Sequence, residues 1–199
     1  GSVRQPLEKW SPWRDKEIDP LSGLREVETA VRGMLKPAII LDILQSFTIF
    51  ATNKQHRKIK IICRFQQYYT TNQIVERVVQ GRIKKGLIWH FQGSGKSLLM
   101  VFAAQKMRLH PFLKNPTVLI VVDRIDLDTQ ITGTFTAADV PNLVSIEKRS
   151  ELEKLLAQDV RKVLITTIHK FGEAPGVLNN RENIIVMVDE ARRTQEGDL

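Results

Sequence analysis

Trp89-His90-Phe91-Gln92-Gly93-Ser94-Gly95-Lys96-Ser97 is the stretch that decides the fold. An apolar run, Gly86–Phe91, leads into a glycine-rich turn, and the turn opens onto an amphipathic stretch, Leu98–Leu109. Strand, glycine loop, Lys-Ser and helix is the layout of a nucleotide-phosphate site. Gly93 and Gly95 let the backbone turn its N–H groups toward phosphate oxygens, with Ser94 between them. The helix start that follows adds a favourable dipole. Lys96 can reach the β- and γ-phosphates, and the Ser97 hydroxyl can ligate Mg²⁺. The usual pattern has a glycine five residues before the Gly-Lys pair, and here His90 stands there. The alternative reading is a plain Gly/Ser turn between a strand and a helix.

A second segment favours the phosphate site. Residues 183–190 read Asn-Ile-Ile-Val-Met-Val-Asp-Glu. A continuous apolar run of this kind is expected of a strand buried on both faces of a parallel sheet. It ends in two adjacent carboxylates, and ligands of open α/β sheets gather at the carboxyl ends of the strands. Asp189 is therefore expected to hold Mg²⁺, through water, and Glu190 to orient or deprotonate an attacking water. Alone, an Asp-Glu pair would be a solvated strand end. With a phosphate loop in the same chain, it reads as the second half of an ATPase site.

Working outward, the chain alternates strand and helix from Gly86 onward. Strands are expected at Leu87–Phe91, Thr117–Asp123, Lys162–Thr167 and Ile184–Glu190, with a short one near Leu143–Ile146. Helices are expected at Lys96–Leu109, Asp126–Thr134 and Glu151–Gln158. This alternation implies an α/β fold, a doubly wound parallel sheet with helices on both faces and right-handed crossovers. Before it, Val3–Pro20 reads as an extended arm. Gly23–Leu35 and Ala38–Ala51 have helical spacing, Asn53–Lys58 reads as a loop, and Phe65–Gln80 is again helical.

Composition bounds the function. The 199 residues suffice for one domain with a substantial core. No apolar run is long enough to span a membrane, and there is no N-terminal signal pattern. The single cysteine, Cys63, cannot form an internal disulfide. Gly1-Ser2, with no initiator Met, reads as an expression remnant, so the chain is expected to be a piece of something longer. The net charge of +8 favours a polyanionic partner. Lys54, Arg57, Lys58, Lys60, Arg64, Arg77, Arg82, Lys84 and Lys85 face only Glu76 between residues 53 and 86. By itself, such a run is also compatible with a solvated basic face.

Four segments together resemble the motor of the restriction (R) subunit of type I restriction–modification enzymes, within the superfamily 2 helicases and translocases. They are Gly86–Met100, Val118–Ile131 with Val-Val-Asp-Arg-Ile-Asp-Leu-Asp-Thr-Gln, Val163–Phe171 with Thr-Thr-Ile-His-Lys-Phe, and Val186–Leu199 with Asp-Glu-Ala-Arg-Arg-Thr-Gln-Glu-Gly-Asp-Leu. The Trp-His-x-x-Gly-Ser-Gly-Lys-Ser and Asp-Arg-x-Asp-Leu combination is more specific than either part, and the likeness runs from about Gly23 to the C-terminus. It implies a RecA-like lobe that binds ATP and Mg²⁺ and has a DEAH-like box. Residues 1–22 would be an arm, 23–64 a helical linker and 65–199 the first ATPase domain, cut before the second lobe.

The resemblance also assigns roles. Arg64-Phe65-Gln66-Gln67 is similar to the family's adenine-reading segment, with Gln67 the expected reader, since a side-chain amide suits adenine. Arg64 could contact nucleotide, DNA or water. Arg124, Thr166, Thr167 and His169 are the implied contacts to the DNA backbone. The implied partners are double-stranded DNA and the methylation and specificity subunits, and the implied location is the cytoplasm. Arg192 departs from the pattern, which usually has His there, and no nuclease carboxylate–lysine cluster is evident upstream.

Overall fold

A computed structural model of the chain describes residue 13 and residues 27–52, 57–90, 94–122, 125–169 and 179–189, with the backbone alone for 125–130. The chain forms two compact units, Gly1–Ala103 and Ala104–Leu199.

In the first unit a helical turn at 27–29 runs into a π-helical turn, Ala30–Met34. Helix α1 spans Pro37–Ser46, with the proline at its start, where its missing N–H costs nothing. The sequence pattern carried this helix on to Ala51, but the chain leaves the helix at Phe47 and forms strand β1, Thr48–Thr52. That strand pairs antiparallel with β2, Lys58–Ile62, in a register running from Thr48↔Ile62 to Thr52↔Lys58. The physical reason is local. Thr-Ile-Phe-Ala-Thr is rich in β-formers and buries alternate residues, Ile49 and Ala51.

Helix α2, Phe65–Gln80, has the expected bounds and stops at Gly81, whose φ of 65° supplies the left-handed C-cap. Aromatic rings fix it in place. Phe47, fully buried, meets Tyr68 at 4.8 Å and Phe102 at 5.6 Å between ring centroids, and Trp13 meets Phe65 edge-on at 5.3 Å. The Tyr68 phenol is pushed up to about 12 by burial and then by the charge of, and a hydrogen bond to, Asp42.

Helix α3 spans Lys96–Leu109 as expected. The strand expected at Leu87–Phe91 does not form over its described part. Residues 86–90 are irregular, and Leu87 is 74% exposed. An apolar run becomes a strand only where another strand takes its backbone groups, and none does so here among the described residues.

The second unit holds strands β3 (Thr117–Val122), β4 (Leu143–Ser145), β5 (Val163–Thr167) and β6 (Ile184–Val188), all parallel, in the order β4-β5-β3-β6. Helix α4, Ile125–Ala137, follows β3, and α5, Arg149–Ala157, follows β4. The α/β class and the parallel sheet flanked by helices are thus as expected. Every residue of β3 and β5 is buried, because central parallel strands are covered on both faces. On one face Leu119, Val121 and Leu164 pack with Leu152 and Leu156 of α5. Strand β6 differs from its expected two-sided burial. It is an edge of the described sheet, and Val186 and Val188 are exposed.

At the end opposite the strand carboxyl termini, Arg108 binds three loops. It donates to Asn115 Oδ1 at 3.0 Å, to the Pro141 carbonyl at 2.7 Å and to the Arg161 carbonyl at 3.2 Å.

Candidate nucleotide site

The first unit builds one cluster around the glycine loop. Gly93 lies outside the described residues, but the segment from Ser94 into α3 is described. Gly95 has φ of 84°, the left-handed region that suits glycine. Its carbonyl accepts the first helical bond of α3 from the Leu99 N–H at 3.0 Å. The N–H groups of residues 96 to 98 are therefore left without acceptors inside the helix, as at any helix start. Lys96 and Ser97 are half-buried in that first turn.

Helix α2 meets this loop. The Gln67 side chain is buried, accepts from the Arg64 N–H through Oε1 at 2.8 Å, and donates from Nε2 to the Gly95 carbonyl at 3.0 Å. A Cβ at Gly95 would lie 2.5 Å from Gln67 Nε2, so no larger residue fits without displacing the amide. Arg64 is exposed at the N-cap of α2. One turn on from Gln67, Thr70 Oγ1 lies 3.0 Å from His90 Nε2. Burial, and then the charge of Lys96, hold the His90 imidazole below its ordinary range. The sequence marked His90 only as a departure from a glycine pattern. Its partner Thr70 went unnoticed, although it stands three residues after Gln67 on the same helix.

Whether these residues suit a nucleotide can be tested on the loop itself. The Ser94 hydroxyl is buried and makes no hydrogen bond among the described residues. A buried polar group without a partner is costly. Beside it are a backbone turn that needs glycine and a helix start with unclaimed N–H groups. The donor set fits a phosphate chain.

The second unit gathers the other expected residues at the carboxyl edge of its sheet. Val121 is the register partner of both Thr166 on β5 and Val188 on β6, and Val122 that of Thr167. Asp189 follows directly, its N–H donating to the Val121 carbonyl at 2.9 Å, so its half-buried side chain stands at the strand end. Thr166 and Thr167 are buried in the sheet, and the Thr166 hydroxyl has no hydrogen-bond partner among the described residues. His169 is exposed just past β5. Glu190, Arg124 and Arg192 lie outside the described residues. Among the described residues no group of three His, Cys, Asp or Glu side chains could hold a metal by itself, and no helix is long and apolar enough to cross a membrane.

A parallel α/β sheet flanked by helices, in a chain that also carries a glycine turn at a helix start, is the layout expected of a nucleotide-binding lobe, and comparison with known proteins gives its family. The chain belongs to the SWI2/SNF2 ATPase family, whose model matches residues 66–199. Among individual relatives, the HindI endonuclease subunit of a type I restriction enzyme from Haemophilus influenzae is 36% identical, over 99% of this chain and 20% of its own length. The MjaIXP endonuclease subunit of Methanocaldococcus jannaschii is 30% identical over 87% of this chain and 17% of its own. The SsaAORF53P endonuclease subunit of Staphylococcus saprophyticus is 26% identical over 94% of this chain and 20% of its own. The resemblance seen in the four motifs is borne out. The chain spans about a fifth of the length of these relatives.

Proposed function

We propose that this chain is the first ATP-hydrolysing motor lobe of a type I restriction endonuclease subunit. The full-length protein would translocate double-stranded DNA at the expense of ATP and couple that movement to cleavage. It would act in the cytoplasm with methylation and specificity subunits that choose the site. The observation that carries the reading is the bond from buried Gln67 to the Gly95 carbonyl, next to the Ser94 hydroxyl, which has no partner among the described residues. It brings the candidate base reader and the candidate phosphate loop into one cluster, which supports the reading. The division into an arm (1–22), a linker (23–64) and an ATPase domain (65–199) belongs to this proposal, with the linker corrected from wholly helical to helix α1 followed by the antiparallel pair β1–β2.

In this reading Gly93, Ser94, Gly95 and the α3 N-terminus cradle the phosphates, and Lys96 neutralises the β- and γ-phosphate charge. Ser97 and, through water, Asp189 would be the residues to hold Mg²⁺, which would supply positive charge to the departing phosphate. Glu190 orients a water and takes its proton as the water oxygen bonds to the γ-phosphorus and the bond to the β–γ bridging oxygen breaks. Gln67 reads adenine. Its amide still has one N–H and one Oε1 lone pair beyond the bonds described, and adenine N7 and N6 need that combination. Arg64 flanks the base. On DNA, exposed His169 meets backbone phosphate, together with Arg124. Thr166 and Thr167 are buried, so a contact from their hydroxyls requires the end of β5 to open.

A second reading is the motor lobe of another superfamily 2 helicase, and a third is a nucleotide-binding regulatory module that does not translocate. ATP hydrolysis by the full-length protein, with and without double-stranded DNA, tests the proposal. Stimulation by DNA separates a motor from a regulatory module. Dependence on methylation and specificity subunits separates a restriction motor from other motors.

A further inference from the structure

Helix α2 touches the glycine-rich segment twice from one face. Gln67 holds Gly95 at the far end, and Thr70, three residues later and therefore beside it on the helix, meets His90 at the near end. The usual sequence pattern has glycine at residue 90, which could make no such side-chain contact. His90 brings an imidazole there and gives the loop a second attachment to the helix that carries the candidate base reader.

We propose that His90 and Thr70 form a positioning pair that fixes the phosphate loop to α2 at its entry, as Gln67 does at its exit. Adenine recognition and phosphate binding are thereby held in one register. The inference rests on the reading of this loop as a nucleotide site.

The chemistry of the pair suits that role. Burial and then the charge of Lys96 hold the His90 imidazole below its ordinary range, which favours its neutral form. In that form it adds no charge beside Lys96, whose own positive charge stays available to phosphate. A neutral ring nitrogen can accept from the Thr70 hydroxyl or donate to it, depending on the tautomer, and either arrangement makes one bond. The two bonds hold His90 and Gly95, which flank the loop, to the same helix. Loss of the Thr70–His90 bond therefore weakens the correct placement of triphosphate relative to base. It does not remove the groups that bind either of them.

Calorimetric titration of the full-length protein with ATP, GTP and inorganic tripolyphosphate tests this. His90→Gly and Thr70→Val are each expected to raise the ATP dissociation constant about five- to tenfold, the worth of one hydrogen bond. Both should narrow the ATP-over-GTP preference while tripolyphosphate affinity changes little. The double variant should be no worse than either single one, and Thr70→Ser and His90→Gln, which keep a hydrogen-bonding atom in reach, should restore binding. Thermal unfolding of each variant identifies any that fails to fold, and Thr70→Val, partly exposed and nearly isosteric, carries the test if His90→Gly does not fold. Unchanged ATP affinity in folded His90→Gly or Thr70→Val, or additive losses in the double variant, would overturn the proposal. Lys96→Ala is titrated in parallel. If it too binds ATP like the parent protein, the nucleotide-site reading itself fails. If it loses ATP while His90→Gly does not, only the positioning role falls.

Discussion

Gln67 and Leu99 share one acceptor. The Gly95 carbonyl takes the Gln67 Nε2 proton at 3.0 Å and the Leu99 N–H at 3.0 Å, so a single backbone oxygen starts helix α3 and holds it to helix α2. The arrangement needs glycine twice over. The φ of 84° is costly for any side chain, and a Cβ would lie 2.5 Å from the amide nitrogen. Gly95→Ala is expected to cost about 1–2 kcal/mol from the left-handed backbone alone, before the displaced amide is counted. Chemical denaturation of the full-length protein reads the stability, and ATP titration should show weakened binding. A folded Gly95→Ala variant with unchanged stability and affinity would contradict this geometry.

Base choice follows from the remaining capacity of Gln67. Its Oε1 already accepts from the Arg64 N–H at 2.8 Å, which leaves one lone pair and one N–H for a ligand. The protein should prefer ATP to GTP, and Gln67→Ala should flatten that preference. Competition between the two nucleotides measures it, and equal binding of ATP and GTP by the parent protein would count against Gln67 as the reader.

The half-buried phenol of Tyr68 gives a pH prediction. Partial burial, and then Asp42, push it up to about 12 from its ordinary value of 10.0. The folded state thus holds its proton more tightly than the unfolded one. This contribution to stability is complete below pH 10 and is lost as pH rises toward 12. Ultraviolet-monitored titration should find one of the two tyrosines ionising near the upper value, and Tyr68→Phe should remove that transition. A Tyr68 transition at its ordinary value of 10.0 would contradict this environment.

The sheet was legible in the sequence because its central strands are continuous apolar runs, and Thr117–Val122 and Val163–Thr167 are buried along their whole length. Helix Phe65–Gln80 was legible to the residue, since Gly81 ends it with a left-handed cap. The hairpin Thr48–Ile62 was missed because Ala38–Ala51 keeps an apolar spacing that a helix would also satisfy. The alternation in Lys58-Ile-Lys-Ile-Ile was the overlooked signal. Leu87–Trp89 shows the converse, since apolar character alone does not supply a neighbouring strand. At the site, the residue types were readable from the motif. The Gln67–Gly95 bond, which spans 28 residues, and the Thr70–His90 contact depend on how α2 packs, and no local pattern encodes that.

The excess of Lys and Arg between Lys54 and Lys85 predicts DNA binding dominated by backbone phosphate. Affinity for double-stranded DNA should fall steeply with salt and barely depend on sequence in the subunit without its specificity partner. Fluorescence titrations at several salt concentrations measure the slope. Binding that is insensitive to salt, or selective for sequence, would refute this.

The central claim is that Lys96 and its loop bind and turn over ATP to drive a DNA motor. Steady-state ATP hydrolysis by the full-length protein with saturating double-stranded DNA, parent against Lys96→Ala, tests it most directly. Removal of a charged hydrogen bond to phosphate is expected to cost about 1.5–3 kcal/mol in ATP binding and to abolish the DNA-stimulated rate while the fold survives. A folded Lys96→Ala protein that hydrolyses ATP at the parent rate would contradict the account.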